Sequence, residues 1–327
     1  MSSLRLHLGL QGGGAHGAFT WGVLDRLLDE NDLHFGRISG TSAGALNGAA
    51  LVTGLRQGGR QGAKENLARL WTRAAEVGML GTALLIPARK PSFGIWDDLH
   101  PVLPPALANP LGIEPLRYVV QSVVDIPLLR RETDYPLHVN AVNVRTGAMR
   151  VFGPAELSID AILASACAPQ LFSAIDVDGD IYWDGSYGAN PAIRPLHAGQ
   201  RDADLLLIEL TPPVRSDTPW SAKNVLNRIN EIASLTGLVR ELHGLHADQQ
   251  ASPGLRFHVV GLADREDNAA LLDPSLKRGA DHLLFETLRA AGHQTCDAWL
   301  QAHRSDIGRR STVDIDARYL APFDPYR

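Results

Sequence analysis

Leu4-Arg5-Leu6-His7-Leu8-Gly9-Leu10 runs into Gln11-Gly12-Gly13-Gly14-Ala15-His16-Gly17, and Phe35-Gly36-Arg37-Ile38-Ser39 runs into Gly40-Thr41-Ser42-Ala43-Gly44. Each is a strand-length, largely apolar run that stops at a glycine cluster. Behind the first cluster, Ala18, Trp21, Leu24, Leu27 and Leu28 recur at helical spacing over 15–29. Behind the second, 45–55 reads as a helix of small and apolar residues, the kind that lies buried against a sheet. Strand, glycine turn and helix, given twice, predict an α/β sheet.

Outward from this stretch, 137–144 and 149–152 read as strands around Thr146-Gly147, and 160–167 as a helix. Strands are also expected over 171–176 and 181–183, around Asp178-Gly179, and over 205–210 and 257–262. Val225, Ile229, Ile232, Leu235, Leu238 and Leu242 fall on one helical face, and 281–303 predicts a further helix with Leu284, Leu288 and Trp299 as its inner contacts. The segment 79–116 is rich in Pro and Gly yet also in Leu, Ile, Phe and Trp. That composition predicts no long helix; it suits an irregular loop packed on the body or an apolar cap over an entrance. With no linker in view, 1–327 reads as one domain, with 220–327 a helical and strand extension packed on it.

The composition sets the outer limits. In 327 residues, 45% are hydrophobic and 20% charged, as in soluble globular proteins, and the net charge is −5. An acidic balance argues against a nucleic-acid binder, which needs a basic face. No run of 18 apolar residues predicts a membrane span, and 1–10 has neither the basic nor the apolar region of a signal peptide, so a cytoplasmic location is expected, with a leaderless export route left open. Cys167 and Cys296 make no disulfide framework or zinc site.

Gly40-Thr41-Ser42-Ala43-Gly44 matches G-x-S-x-G. That pattern sets a serine hydroxyl on a sharp strand-to-helix turn, where flanking glycines let the backbone bend and the helix start faces developing negative charge. Gly12-Gly13-Gly14-Ala15-His16-Gly17 exposes successive backbone N–H groups that suit an oxyanion. Gly12, Gly14 and Gly17 also satisfy the dinucleotide fingerprint G-x-G-x-x-G, but that rival needs an acid at the end of strand two, where Ser39-Gly40-Thr41-Ser42 stands instead. His16 either serves the oxyanion region or packs the helix start. Asp184, in Trp183-Asp184-Gly185-Ser186, sits where a strand gives out into a glycine turn; alone, Asp-Gly is also simply a turn dipeptide. Asp176, Asp178 and Asp180 alternate like a calcium loop but lack its glycine and closing glutamate. His197, His246, His258 and His282 offer no evident third member of a Ser–His–Asp triad, although a triad through one of them stays open.

Taken together, the glycine loop, the G-x-S-x-G turn and the later Asp184-Gly185 resemble the patatin-like phospholipase family, in the same order. Ser165-Ala166-Cys167-Ala168-Pro169 and Phe172 before the aspartate, Asn190-Pro191 after it, and 224–242 and 292–300 extend the similarity along nearly the whole chain. The resemblance implies a three-layer α/β/α sandwich with a mostly parallel central sheet. It implies a Ser42–Asp184 dyad cleaving fatty acyl esters, an oxyanion hole in 12–17, an acyl lipid substrate with transient lipid-surface contact, and no metal or cofactor. An acyltransferase or thioesterase on the same site, or a non-catalytic acyl-binding protein, are the alternatives. Two departures stand out. His16 occupies a place where many members carry Arg or Lys, and Ser186 replaces the usual Gly or Ala. Lipid class, chain length and oligomeric state have no signal in the sequence.

Overall fold

The computed structural model describes residues 4–85, 109, 111–132, 134–215 and 218–325. Its strands are β1 (Leu4–Leu10), β2 (Leu33–Gly40), β3 (Leu137–Asn143), β4 (Met149–Phe152), β5 (Ile175–Val177), β6 (Asp180–Asp184), β7 (Asp202–Glu209) and β8 (Gly254–Gly261). They form one mixed sheet in the order β5-β6-β3-β2-β1-β7-β8, with β4 against β3. The β3–β2–β1–β7–β8 stretch is parallel throughout, whereas β4, β5 and β6 pair antiparallel.

Strand alternation separates the two faces. Leu206 and Ile208 of β7 join Leu6, Leu8 and Leu10 of β1 in a core covered by α1 (Gly17–Leu27), α2 (Ala43–Leu85) and α8 (His282–His303). Leu205 and Leu207 face the other way, toward α6 (Arg194–His197), α7 (Ala222–Ala251) and Ile315, Tyr319 and Leu320. This is the three-layer arrangement expected. Helices α3 (Glu114–Val123), α4 (Ile126–Arg130) and α5 (Ile159–Ser165) complete the set among the described residues. Gly22 of α1 lies against the Arg289 carbonyl, and Gly292 of α8 against the Phe19 carbonyl, so any side chain there would separate the two helices.

Three expectations need correction, and a fourth is not tested. Helix α2 continues to Leu85, broken by non-helical Gly58 and Gly59, so 79–85 is helical despite its composition. Residues 86–108 and 110, most of the expected cap, lie outside the described residues. The strand expected over 171–176 shrinks to Ile175–Val177, because Ala168 turns the chain, its carbonyl accepting from Leu171 and Phe172 N–H. On α7, Leu235, Leu238 and Leu242 are buried, but Val225, Ile229 and Ile232 are 41%, 56% and 50% exposed. Periodicity placed them on one face; the sheet is covered by only the later half of that face.

Candidate active site

Adjacent parallel strands deliver the two glycine turns to the same place. Leu10 at the end of β1 is in register with Gly40 at the end of β2, and the Thr41 N–H donates to the Leu10 carbonyl at 3.2 Å. Loops following β1 and β2 therefore leave the same sheet edge, beside the point where the strand order switches from β2 to β7 across β1. That is where α/β sheets open a crevice.

Ser42 takes φ of 53°, a left-handed conformation strained for a residue with a Cβ. The turn is held by neighbours: Ser42 N–H donates to Ser165 Oγ (2.9 Å), and Thr41 Oγ1 donates to Asn140 Oδ1 (2.5 Å). Gly44 packs so closely on the Leu10 carbonyl that a Cβ would collide with it, and one at Gly12 would stand 2.6 Å from Ser42 Cβ.

Asp184 arrives from the opposite direction. β3 pairs β4 through 139–142, so β2, paired at 137–139, and β6, paired at 141–143, must share its other edge. β2 ends at Gly40 opposite Val139; β6 runs antiparallel and ends at Asp184 opposite Ala141. The two strands thus point their C-terminal ends at each other along one edge, which brings Asp184 to Ser42 across 142 positions of sequence. Asn140, between the two registers, donates to the carbonyls of Gly185 (3.0 Å) and Ala189 (2.9 Å) while accepting from Thr41, so it ties the serine turn to the aspartate loop. Asn190 does the same for the glycine loop, accepting from Gly12 N–H at 2.6 Å and donating to its carbonyl at 3.1 Å.

Asp184 is 5% exposed. Burial raises its pKa, and the Ser186 N–H, the Ser186 hydroxyl and the Ser42 side chain, which face the carboxylate, pull it partway back. Both Ser186 bonds go to Oδ1, at 2.9 and 2.7 Å. Ser42 and Asp184 line a cavity of about 440 Å³ together with Leu46, Trp71, Leu116, Leu171, Phe172 and Phe285. The surface it presents is mostly apolar, as in sites for lipid-like ligands, with polar side chains such as Asn227, Asn230 and Ser234 along one side.

Of the glycine loop, Gly12, Gly13, Gly14 and Ala15 line this cavity; His16 and Gly17 do not. The N–H of Gly12 is spent on Asn190, and those of His16 and Gly17 on Gly13 and Gly14 carbonyls. Those of Gly13, Gly14 and Ala15 make no hydrogen bond among the described residues. His16 is buried and faces a neighbouring cleft, and burial, then the Lys277 charge, lower its pKa to about 3, which leaves it neutral. A positive charge nonetheless reaches the cavity wall. Lys277, bonded to Glu231 at 3.0 Å, lines it, and its carbonyl packs on Gly14. No histidine lines the cavity among the described residues; His258 is buried between Asp204 (2.9 Å) and Thr312 (3.1 Å).

Sequence reading passed over Asn140 and Lys277. Asn140 had a signal, an uncharged polar residue amid the apolar Val139-Asn140-Ala141-Val142 of a buried strand; Lys277 had none.

No protein with curated annotation matches the chain significantly. Among solved structures, it is similar to VipD from Legionella pneumophila, with 12% identity over 98% of this chain and 73% of that one, and a TM-score of 0.40. It is also similar to full-length ExoU of Pseudomonas aeruginosa in its complex with SpcU, with 14% identity over 91% of this chain, and a TM-score of 0.32; here the chain spans only 53% of its relative's length. The family model for patatin-like phospholipases matches residues 8–197, more than half of the chain and the whole stretch from the glycine loop through Ser42 to Asp184 and Asn190. The chain belongs to the patatin-like phospholipase family, whose members are serine lipid hydrolases.

Proposed function

We propose that the chain hydrolyses fatty acyl esters of lipids through Ser42 and Asp184. The observation that carries this reading is that Ser42 and the buried Asp184 line one largely apolar cavity with the Ser42 side chain facing the carboxylate, together with Gly13, Gly14 and Ala15, whose N–H groups make no hydrogen bond among the described residues. Ser42 Oγ attacks the ester carbonyl and its proton passes to Asp184. Carboxylates are weak bases, but burial raises this one toward its task, and the nearness of the Ser42 side chain keeps the transfer local. Gly13, Gly14 and Ala15 N–H groups stabilise the oxyanion, each such donor being worth about 10²–10³ in turnover. Collapse expels the alcohol, which takes the proton from Asp184, and leaves an acyl-serine. Water, giving a proton to Asp184, attacks that ester; the second collapse frees the fatty acid and returns the proton to Ser42.

Leu46, Trp71, Leu171 and Phe172 on the cavity wall favour long acyl chains over acetyl esters. The test compares purified wild type, Ser42→Ala and Asp184→Asn on short and long acyl esters, with fluorophosphonate labelling of Ser42. Full activity in either variant, or an unlabelled serine in active protein, ends this reading.

A further inference from the structure

Beside the Ser42 cavity lies a second cleft of about 690 Å³. The two share Thr211, Glu231 and Lys277 as a common wall. Arg215 and Arg228 also line the second cleft, and both approach Glu231, at 3.0 and 3.3 Å, as Lys277 does at 3.0 Å. Three cations thus gather on one buried carboxylate. With Asp273, the described lining holds three positive groups against two negative. The contact of Arg228 with Glu231, its one hydrogen-bond partner among the described residues, uses one of its five N–H donors.

The floor of the cleft carries a second, independent feature. His16 is buried and lines the cleft, yet neither ring nitrogen has a hydrogen-bond partner among the described residues. The Asp273 carbonyl is near, outside good hydrogen-bond geometry. A buried polar ring without a partner is destabilising, a deficit that a ligand oxygen accepting from its N–H would remove.

Helix α7 places this cleft in order. On its 100° wheel, Asn227, Asn230 and Ser234 face the Ser42 cavity, and Glu231 stands on the boundary. Asn224 and Arg228 follow in the next sector and face the cleft. The exposed Ile232, Val225 and Ile229 come after that, with Trp220 exposed just before the helix and Val214 exposed on the cleft rim. From one side of α7 to the other run an acyl-sized cavity, a cationic cleft and an apolar stripe. That sequence matches a lipid: acyl ester, phosphate, and the surrounding bilayer.

We infer that the cleft lined by Arg228, Arg215, Lys277 and His16 holds the phosphate of a glycerophospholipid while its acyl ester lies at Ser42. Guanidinium groups suit phosphate oxygens because their N–H donors fork in one plane. This rests on the hydrolase reading and names its substrate class.

The experiment measures kcat/KM in mixed detergent micelles on a diacyl glycerophospholipid and on diacylglycerol with the same acyl chains. In Arg228→Gln the ratio of phospholipid to diacylglycerol should fall about tenfold through KM, the scale of one charge-assisted hydrogen bond. Arg215→Gln should lower it in the same direction, and Arg228→Lys should restore part of it. Inorganic phosphate should compete with the phospholipid more weakly in Arg228→Gln than in wild type. An unchanged ratio in both Gln variants, or parallel loss on both substrates, overturns the inference. So does inorganic phosphate binding at the cleft without any preference of the wild type for phospholipid, which would make it a site for free phosphate. If the wild type cleaves neither lipid, the hydrolase reading falls by itself. Flotation of the Ser42→Ala chain with phospholipid vesicles then decides the cleft: weaker binding by Arg228→Gln in that background supports it, equal binding refutes it.

Discussion

Asp184 and Asp204 are both strand residues of one sheet, 5% and 4% exposed, and they behave in opposite ways. Neutral donors surround Asp184: the Ser186 N–H and hydroxyl, and Ser42. Burial wins there and its pKa rises. Burial pushes Asp204 up as well, but His258 Nε2 at 2.9 Å, Arg256 at 2.9 Å through two nitrogens, and the Gly308 N–H at 2.9 Å outweigh it and hold the carboxyl at about 2. The same residue type, with little exposure in either place, has a raised pKa where no cation touches it and a lowered one where a cation does. The chain keeps its catalytic candidate free of the partners that anchor its structural twin.

The largest effect expected from breaking this contrast is on turnover. Asp184→Asn and Ser42→Ala should each lower kcat on acyl esters by about 10⁴ or more. Because Asp184 is raised in the fold, its ionised form opposes folding, and that penalty grows as pH rises from the unfolded carboxylate value through the native one. Asp184→Asn should therefore melt no lower than wild type at neutral pH. An inactive variant that unfolds early would mean that the aspartate is structural.

Asp204→Asn is the mirror experiment. It takes the buried carboxylate from Arg256, which among the described residues keeps only the exposed Asp202, and from His258, which keeps only Thr312, and so costs about 3–5 kcal/mol in urea unfolding, while the turnover of the folded fraction stays near wild type. A cost below about 1 kcal/mol would show that the pair is poorly coupled.

Acid titration sharpens the contrast. A depressed pKa contributes stability that is complete above the unfolded carboxylate range, about 3.9, and is lost as pH falls toward about 2. Wild type should lose urea resistance faster than Asp204→Asn across that window, and equal slopes would remove Asp204 as the cause. The smallest effect concerns Ser186→Ala, which deletes the 2.7 Å hydroxyl bond but keeps the N–H bond to Asp184. With less to stabilise the anion, the pKa rises further, so the acid limb of kcat/KM should move to higher pH. Movement the other way contradicts the role given to Ser186.

How much of this was legible beforehand depends on range. Strands β1, β2, β3 and β8 and helices α1 and α8 lie close to where spacing predicts them, because period and glycine placement are local properties. Helix α2 runs on to Leu85 although 79–116 is rich in Pro and Gly, because the prolines of that segment begin only at Pro87. Asp184-Gly185 alone could not be told from the turn at Asp178-Gly179, although in the fold Asp178 has a positive φ and Asp184 does not. The family's motif order made that distinction, since dipeptide chemistry is the same in both.

The sequence by itself determined the two glycine turns, the helices behind them and Ser42 as a candidate, since each is written in neighbouring residues, and it singled out Asp184 through the order of motifs along the chain. Only the tertiary structure decided what those residues meet. The shared edge of β3 brings β2 and β6 end to end, Lys277 comes from far downstream to the Gly14 loop, and half of the apolar face of α7 stays uncovered. A local pattern says which side chains travel together; what covers them is set by chain segments hundreds of positions away, through packing that no local window contains.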